Sequence, residues 1–248
     1  MSTQNYVIEI ATTDYESTKS AVAGGADRIE LCMALSEGGL TPSMGLIQQC
    51  RNDFNVALFP IIRPRTGDFL YSQEDFKIIT QDALFCKQIG CDGVVIGFLN
   101  SDGTINKQWT SEIVEAVYPL EVTFHRAFDR CRDPFEALEA IIEAGCQRIL
   151  TSGLQPTAVQ GIDLIQQLVA KASDRIVIMP GSGVRADNVQ LLAEKTGAVE
   201  FHSSVKTAKQ SEMTYQQPAF AGSPESYTHP AIQQDDVVEL RRALEKVR

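Results

Sequence analysis

The ten residues that start at position 121 read Glu121-Val122-Thr123-Phe124-His125-Arg126-Ala127-Phe128-Asp129-Arg130. The stretch begins like a buried strand and ends in a cluster of ionisable side chains. A strand of this kind is typical of a (β/α)8 barrel or an open parallel sheet, because both place their sites at the carboxyl ends of strands. The stretch therefore predicts an α/β protein with a polar site at one edge of its sheet.

Strand-like runs alternate with helical patterns along most of the chain. Four segments repeat a helix end, a glycine and a strand, with glycines at positions 24, 90, 145 and 197. Glycine accepts the left-handed backbone that ends a helix. A fourfold repeat on alternate strands fits a barrel better than an open sheet, so we predict a (β/α)8 TIM barrel. Its strands are expected at 6–11, 28–32, 57–63, 93–97, 121–125, 148–152, 176–180 and 199–203, with helices at 14–23, 73–89, 133–144, 158–172 and 186–195.

The chain of 248 residues has the length of one barrel, which typically needs about 250 residues, and no linker divides it. We therefore predict a single domain over residues 1–248. Residues 206–234 are polar and include three prolines, which predicts a long loop, either a surface excursion or a lid over the barrel mouth. Residues 235–248 predict an extra C-terminal helix.

The net charge of −10 argues against non-specific binding to nucleic acid or to an anionic membrane. The polar start of the chain lacks the basic and apolar regions of a signal peptide, so we expect a cytoplasmic protein. Its six cysteines form no C-x-x-C pair and are expected to be reduced thiols.

Two carboxylates interrupt apolar strands near the start of the chain. Glu9 and Glu30 each lie between apolar neighbours, so alternation should direct them into the barrel. A buried carboxylate needs a partner, and we expect one among Arg63, Arg126 and His125. The cluster is either an ion-pair network that only stabilises the barrel or a general acid–base site.

Further ionisable groups follow strands three and five. Arg63 and Arg126 are expected to bind an anion, since guanidinium groups match carboxylate and phosphate geometry. His125 should face inward and Asp129 is close enough in sequence to orient a cation. We predict that His125 and Asp129 are catalytic, together with Glu9 and Glu30.

An anion cradle is predicted near the end of the barrel sequence. Gly181 and Gly183 follow strand seven, while His202 and Ser203 close strand eight. Loops after these two strands often bind phosphate through main-chain N–H groups. Ser152 after strand six would add a hydroxyl donor. Glycines of this kind also serve as simple turns, so the pattern alone is a weak indicator.

Cys32 is a candidate metal ligand because it ends strand two, at the expected mouth of the barrel. Sulfur ligands favour Cu(I), and Met33 or Cys131 could assist. The alternative is a core thiol without a metal.

Several motifs, taken together, resemble the CutC family. They are residues 25–32 (GADRIELC), 36–43 (SEGGLTPS), 60–69 (PIIRPRTGDF), 123–129 (TFHRAFD), 150–153 (LTSG) and 202–204 (HSS). The resemblance covers residues 6–205 and implies a cytoplasmic copper homeostasis protein with a TIM-barrel fold that forms homodimers or larger homo-oligomers. Some family members carry a cysteine after the first-strand Glu-Ile, where this chain has Ala11.

Two functions are therefore open at this point. The resemblance implies Cu(I) binding in copper homeostasis. The residues themselves favour a barrel enzyme, of the lyase, isomerase or hydrolase type, that acts on a small anionic or phosphorylated metabolite.

Overall fold

A computed structural model describes residues 5–220 and 227–247. Eight parallel strands alternate with helices and form a single-domain (β/α)8 barrel. The strands are β1 Val7–Thr12, β2 Arg28–Leu31, β3 Ala57–Pro60, β4 Gly93–Ile96, β5 Glu121–Phe124, β6 Arg148–Thr151, β7 Val177–Pro180 and β8 Glu200–Ser203. The helices are α1 Tyr15–Ala23, α2 Met44–Asp53, α3 Gln73–Gln88, α4 Lys107–Val117, α5 Pro134–Ala144, α6 Ile162–Ala172, α7 Val189–Thr196 and α8 Gln234–Leu244.

The barrel consists of two four-stranded parallel sheets, with the strand orders β3-β2-β1-β8 and β4-β5-β6-β7. A parallel bridge between Ile61 and Val95 joins β3 to β4, and β7 lies beside β8. All eight strands lie where the sequence predicts them. Only β3 is clearly shorter than predicted, because the chain turns away after Ile61 and the Arg63 amide donates to Thr41 Oγ1 (2.8 Å) instead of to a strand.

Local sequence explains how the helices begin and end. The Asp133 side chain caps α5 by accepting from the amides of Phe135 and Glu136, each at 2.9 Å, and Pro134 occupies the first turn. Gly145 ends α5 with a φ of +91°, which only glycine adopts easily. The helix start predicted at position 133 is thus confirmed.

The segment predicted as a long loop, 206–234, contains secondary structure. Strands β9 Lys206–Gln210 and β10 Thr228–Ile232 pair in an antiparallel ribbon, which corrects that prediction. The polar composition hid the ribbon because its strands are almost wholly exposed and show no apolar alternation. Residues 221–226 of the predicted loop lie outside the described residues.

The predicted C-terminal helix is present as α8, and it packs between α1 and α7. Its buried side chains are Val237, Leu240 and Leu244. Arg241 extends from the same helix and donates to the carbonyl of Tyr6 at 3.0 Å. The helix therefore completes the outer ring of the barrel. Among the described residues, no helix is both long and apolar enough to cross a bilayer.

We expect Leu240→Ala to lower the free energy of unfolding by about 2–5 kcal/mol, because the side chain of Leu240 in α8 is fully buried. The exposed neighbour Glu239 provides a control, and Glu239→Ala should change stability by less than about 0.5 kcal/mol. Urea denaturation of both variants measures the difference. Equal stabilities would show that α8 does not contribute to the fold.

Candidate active site at the carboxyl mouth of the barrel

A cavity of about 350 Å³ lies at the carboxyl ends of the strands. Part of the predicted site lines it: Glu30, His125, Arg126, Gly183, His202 and Ser203. The other predicted residues lie elsewhere in the barrel or in its loops: Glu9, Arg63, Asp129, Ser152, Gly181 and Cys32. The structure therefore separates residues that face the cavity from residues that hold its walls.

Glu9 lies wholly inside the barrel and makes two charge-assisted hydrogen bonds. Its Oε2 accepts from Arg28 Nε at 2.5 Å, and its Oε1 lies 2.7 Å from His202 Nδ1. Burial would raise the pKa of Glu9, but Arg28 and His202 outweigh it and lower the pKa to about 2. The expected partners, Arg63, Arg126 and His125, are thus wrong for Glu9. Alternation along β2 could have indicated Arg28, which is two residues from Glu30.

Glu30 differs from Glu9 because no arginine neutralises it directly. Its Oε2 lies 3.9 Å from His202 Nε2, and its Oε1 has no hydrogen-bond partner among the described residues. Burial raises the pKa of Glu30 to about 7, although His202 opposes the shift. Burial would lower the pKa of His202, but the negative charges of Glu30 and Glu9 raise it. The pKa values of Glu30 and His202 are therefore both raised, and the charge of each group influences the other.

The ligand atoms of Glu9, Glu30 and His202 lie within 4.8 Å of one another, which is close enough for a cation. Both oxygens of Glu9 are already bound, however, one by Arg28 and one by His202. His202 Nδ1 is also occupied by its hydrogen bond to Glu9. Only the Glu30 carboxylate and His202 Nε2 therefore remain as metal ligands within this group of three residues. Oxygen and imidazole nitrogen are also poor matches for Cu(I), which prefers sulfur.

His125 lines the cavity from the end of β5. The Ala127 amide donates to its Nδ1 at 3.1 Å, while its buried Nε2 has no partner among the described residues. Burial lowers the pKa of His125 to about 3, and the charge of Arg63 adds to the effect. The ring is therefore neutral at physiological pH. Gly97 is needed beneath it, since a Cβ there would lie 2.4 Å from the ring.

Arg126 and Asp129 form a connected pair between β5 and β6. Arg126 Nε donates to Asp129 Oδ2 at 2.7 Å, and Arg126 Nη2 donates to Ser152 Oγ at 2.7 Å. Asp129 also accepts from Thr151 Oγ1 (2.6 Å), the Ser152 amide and the Leu154 amide. Asp129 therefore positions Arg126, whose Nη1 has no partner in the part of the chain that is described.

Arg63 is buried and holds two loops together. Its Nη1 donates to the carbonyls of Glu37 (2.7 Å) and Gly39 (3.0 Å), and its Nη2 donates to that of Gly67 (2.8 Å). Its guanidinium also lies 5.0 Å from the centre of the Phe69 ring. These contacts leave little of Arg63 for an anion, and it does not line the cavity.

The loops after β7 and β8 form the remaining wall. Ser182 and Gly183 have consecutive positive φ values of 74° and 76°, and both line the cavity. Two exposed cations, Arg185 and Lys206, line it as well. Neither Arg185 nor Lys206 was predicted as a site residue, although each follows a predicted strand. Gly181 has a packing role, because a Cβ there would lie 2.4 Å from Leu150 Cδ1.

Cys32 lies in the barrel interior, packed with Phe59, Ile61 and Val95. Its Sγ donates to the carbonyl of Thr12 at 3.5 Å. Burial raises the pKa of the thiol, and the charge of Glu30 raises it further. A thiol binds a metal as the thiolate, so these surroundings oppose metal binding.

The fold and this cavity define a single-domain (β/α)8-barrel protein with a polar, mixed-charge mouth. A sequence model of the CutC family matches residues 6–207, and the chain belongs to that family. It is 43% identical over 245 residues to a family protein CutC of Vibrio campbellii, covering 97% of this chain and 99% of the relative.

A human relative named copper homeostasis protein cutC homolog is 41% identical over 237 residues, covering 95% of this chain and 87% of the relative. The crystal structure of a CutC protein from Streptococcus agalactiae superimposes with a TM-score of 0.76 at 30% identity. That match covers 80% of this chain and 98% of the solved one. The relatives therefore support both the barrel and the link to copper homeostasis.

We expect Glu30 to make stability fall as pH rises. Because the folded pKa of about 7 lies above the ordinary value of 4.5, the folded state holds the Glu30 proton between these two pH values while the unfolded state releases it. This stabilisation is therefore lost progressively as the pH rises from about 4.5 to about 7. His202, whose pKa is also raised, acts in the same direction. Glu30→Gln should therefore gain about 2–3 kcal/mol relative to the wild type between about pH 4.5 and pH 7.

Urea denaturation at a series of pH values measures this difference. The exposed Glu115 provides the control, and Glu115→Gln should follow the wild-type pH profile. Parallel profiles for Glu30→Gln and the wild type would contradict the raised pKa.

Proposed function

We propose that the protein is a barrel enzyme that acts on a small anionic metabolite. The single observation that carries this proposal is Glu30, a carboxylate that lines the cavity at the barrel mouth and whose buried Oε1 has no hydrogen-bond partner within residues 5–220 and 227–247. A raised pKa near 7 suits a general acid or base, because both protonation states are then populated under working conditions. A purely structural buried carboxylate would be expected to have both of its oxygens hydrogen-bonded.

His202 and Glu9 support Glu30 in this proposal. Arg28 fixes Glu9, Glu9 orients the imidazole of His202 through Nδ1, and His202 Nε2 faces Glu30. The order of these contacts resembles a relay in which each group orients the next. His202 would then stabilise the ionised form of Glu30 after it releases a proton.

The rim of the cavity supports the choice of an anion. Arg126, Arg185 and Lys206 bring three positive charges to a molecule whose net charge is −10. The main-chain turn at Ser182 and Gly183 lies beside them, as in phosphate-binding loops after strands seven and eight of barrels. The anionic group would bind at this rim and direct the rest of the metabolite toward Glu30. Ser203 and His202 would complete the wall.

Cu(I) binding is a second proposal, and it rests on the human relative named for copper homeostasis. Cys32 is the sulfur that this proposal would use, since it is a free thiol at the end of β2. Its raised pKa means that a bound Cu(I) ion would have to displace the thiol proton. Copper would in this case be cargo of the protein.

We also propose that the protein acts in the cytoplasm and as a homodimer or larger homo-oligomer. All six cysteines are free, in keeping with a reducing compartment. Three large apolar side chains, Met213, Tyr215 and Phe220, are more than half exposed in the segment between β9 and β10. A second copy of the chain would cover them.

We expect inorganic phosphate to bind at the cavity rim. Arg185→Ala should weaken binding about three- to tenfold, because it removes one exposed positive charge from the rim. Isothermal titration calorimetry at low ionic strength measures the affinity. Lys195→Ala makes the same change of charge on α7, away from the cavity, and should bind phosphate like the wild type. Equal binding by all three proteins, or none by the wild type, would remove the anion site from this rim.

The copper proposal has a separate test. Titration of the reduced protein with Cu(I) should show one bound ion, and Cys32→Ala should weaken that binding by more than about tenfold. Cys146→Ala removes another buried thiol, from the opposite end of the barrel, and should leave the affinity unchanged. Equal Cu(I) affinity of the wild type and Cys32→Ala would exclude Cys32 as a ligand.

A further inference from the structure

Two residues that line the cavity each have a buried polar atom without a hydrogen-bond partner among the described residues. These atoms are Glu30 Oε1 and His125 Nε2. Burying a polar atom without a hydrogen-bond partner is unfavourable, so native proteins rarely contain such atoms without a functional reason. The remaining unpartnered buried atoms, on Arg63, Tyr71 and Asp236, belong to residues that do not line this cavity. A ligand of this cavity would therefore be expected to supply hydrogen-bond partners for Glu30 and His125.

His125 must act as a hydrogen-bond donor. The Ala127 amide can only donate, so the Nδ1 that it contacts has to be the unprotonated nitrogen of the ring. The ring is neutral because of its burial, so its single proton lies on Nε2. The imidazole is held in place by Gly97 on one side and by the ring of Phe69. The centroids of the Phe69 and His125 rings are 4.9 Å apart. A neutral imidazole N–H suits a carbonyl oxygen that gains negative charge during a reaction.

Glu30 offers the complementary chemistry from another wall. It extends from β2, whereas His125 follows β5, so three strand positions separate them around the eight-stranded barrel. The groups that face Glu30 are His202 from β8, Glu9 from β1, and Arg28 and Cys32 at either end of its own strand. A carboxylate and a neutral donor thus line the same cavity from different strands, and its volume of about 350 Å³ suits a small metabolite.

We propose that the substrate is a small phosphorylated or carboxylated hydroxy-aldehyde or hydroxy-ketone, and that the protein catalyses its enolisation. This inference rests on the proposed function, because the anionic group must bind at the rim formed by Arg126, Arg185 and Lys206. The carbonyl oxygen accepts the Nε2–H of His125, and the neighbouring carbon lies beside Glu30. Among the lyase, isomerase and hydrolase types, the proposed reaction is that of an isomerase.

The proton and electron transfers balance within the substrate and Glu30. The Glu30 carboxylate takes a proton from the carbon next to the carbonyl, and the C–H electron pair becomes a C=C bond. The carbonyl π electrons move to oxygen, where the His125 N–H stabilises the negative charge. A proton passes between the two substrate oxygens, and protonated Glu30 then returns its proton to the former carbonyl carbon. The product is the isomeric carbonyl compound, with no oxidant or other reactant.

The first test reads His125 directly and needs no turnover. In protein labelled with ¹⁵N-histidine, NMR should show that His125 is protonated at Nε2 and unprotonated at Nδ1 near neutral pH. Addition of 2-phosphoglycolate, which carries a planar carboxylate in place of the enediolate, should shift the Nε2–H resonance. Inorganic phosphate should bind at the rim and leave that resonance in place.

The second test follows the chemistry in D₂O. Dihydroxyacetone phosphate and glyceraldehyde 3-phosphate serve as probes, and NMR detects deuterium entering the carbon next to the carbonyl. His125→Leu should slow this exchange by about 100-fold or more, as expected for loss of one donor to an oxyanion. Glu30→Gln should abolish it while phosphate binding persists. Lys195→Ala, prepared in the same way, should exchange like the wild type.

The outcomes separate the inference from the proposed function. If phosphate binds but 2-phosphoglycolate leaves His125 unchanged and no deuterium enters either probe, the enolisation proposal is overturned and the anion site stands. If neither anion binds, both proposals fail. The tautomer measurement remains decisive even for a poorly folded His125→Leu protein, because a wild-type ring protonated at Nδ1 would overturn the inference.

Discussion

The ion pair between Arg28 and Glu9 inside the barrel is the contact on which the candidate site depends. Taking both charges out of water is costly, and the structure offsets that cost by direct hydrogen bonds from each group to charged partners. Arg28 also pairs with Glu200 and lies 5.1 Å from the centre of the Phe59 ring. This network fills the amino-terminal part of the barrel and holds Glu9 as a carboxylate.

A fixed Glu9 in turn decides the states of His202 and Glu30. Glu9 occupies Nδ1 of His202, so the other imidazole nitrogen faces Glu30. Glu30 receives no arginine of its own and keeps a pKa near neutral. Two carboxylates of similar sequence surroundings therefore have pKa values shifted in opposite directions, because one has an arginine partner and the other does not. This contrast is the physical basis for separate structural and chemical roles.

The arginines illustrate which parts of the site could be predicted. Alternation along the strands correctly indicated that Glu9, Glu30 and His125 are buried, because the period of two is a local property. It could not show that the Arg63 guanidinium donates to loop carbonyls, or that one nitrogen of Arg126 has no partner among the residues that the structure describes. Those contacts join residues from different loops. The ribbon at 206–232 was missed for a related reason, since its exposed strands lack an apolar pattern.

The sequence by itself determined the barrel, the order of its strands and helices, and the set of ionisable residues near the strand ends. Hydrophobic periodicity, capping residues and glycines act over a few neighbouring positions, so they can be read without a structure. Only the tertiary structure decided the protonation states of these ionisable residues, and which of them line the cavity and which only stabilise the barrel. Burial, the Arg28–Glu9 pair and the Ala127 amide at His125 set the pKa values and the tautomer, and each depends on groups that folding brings together.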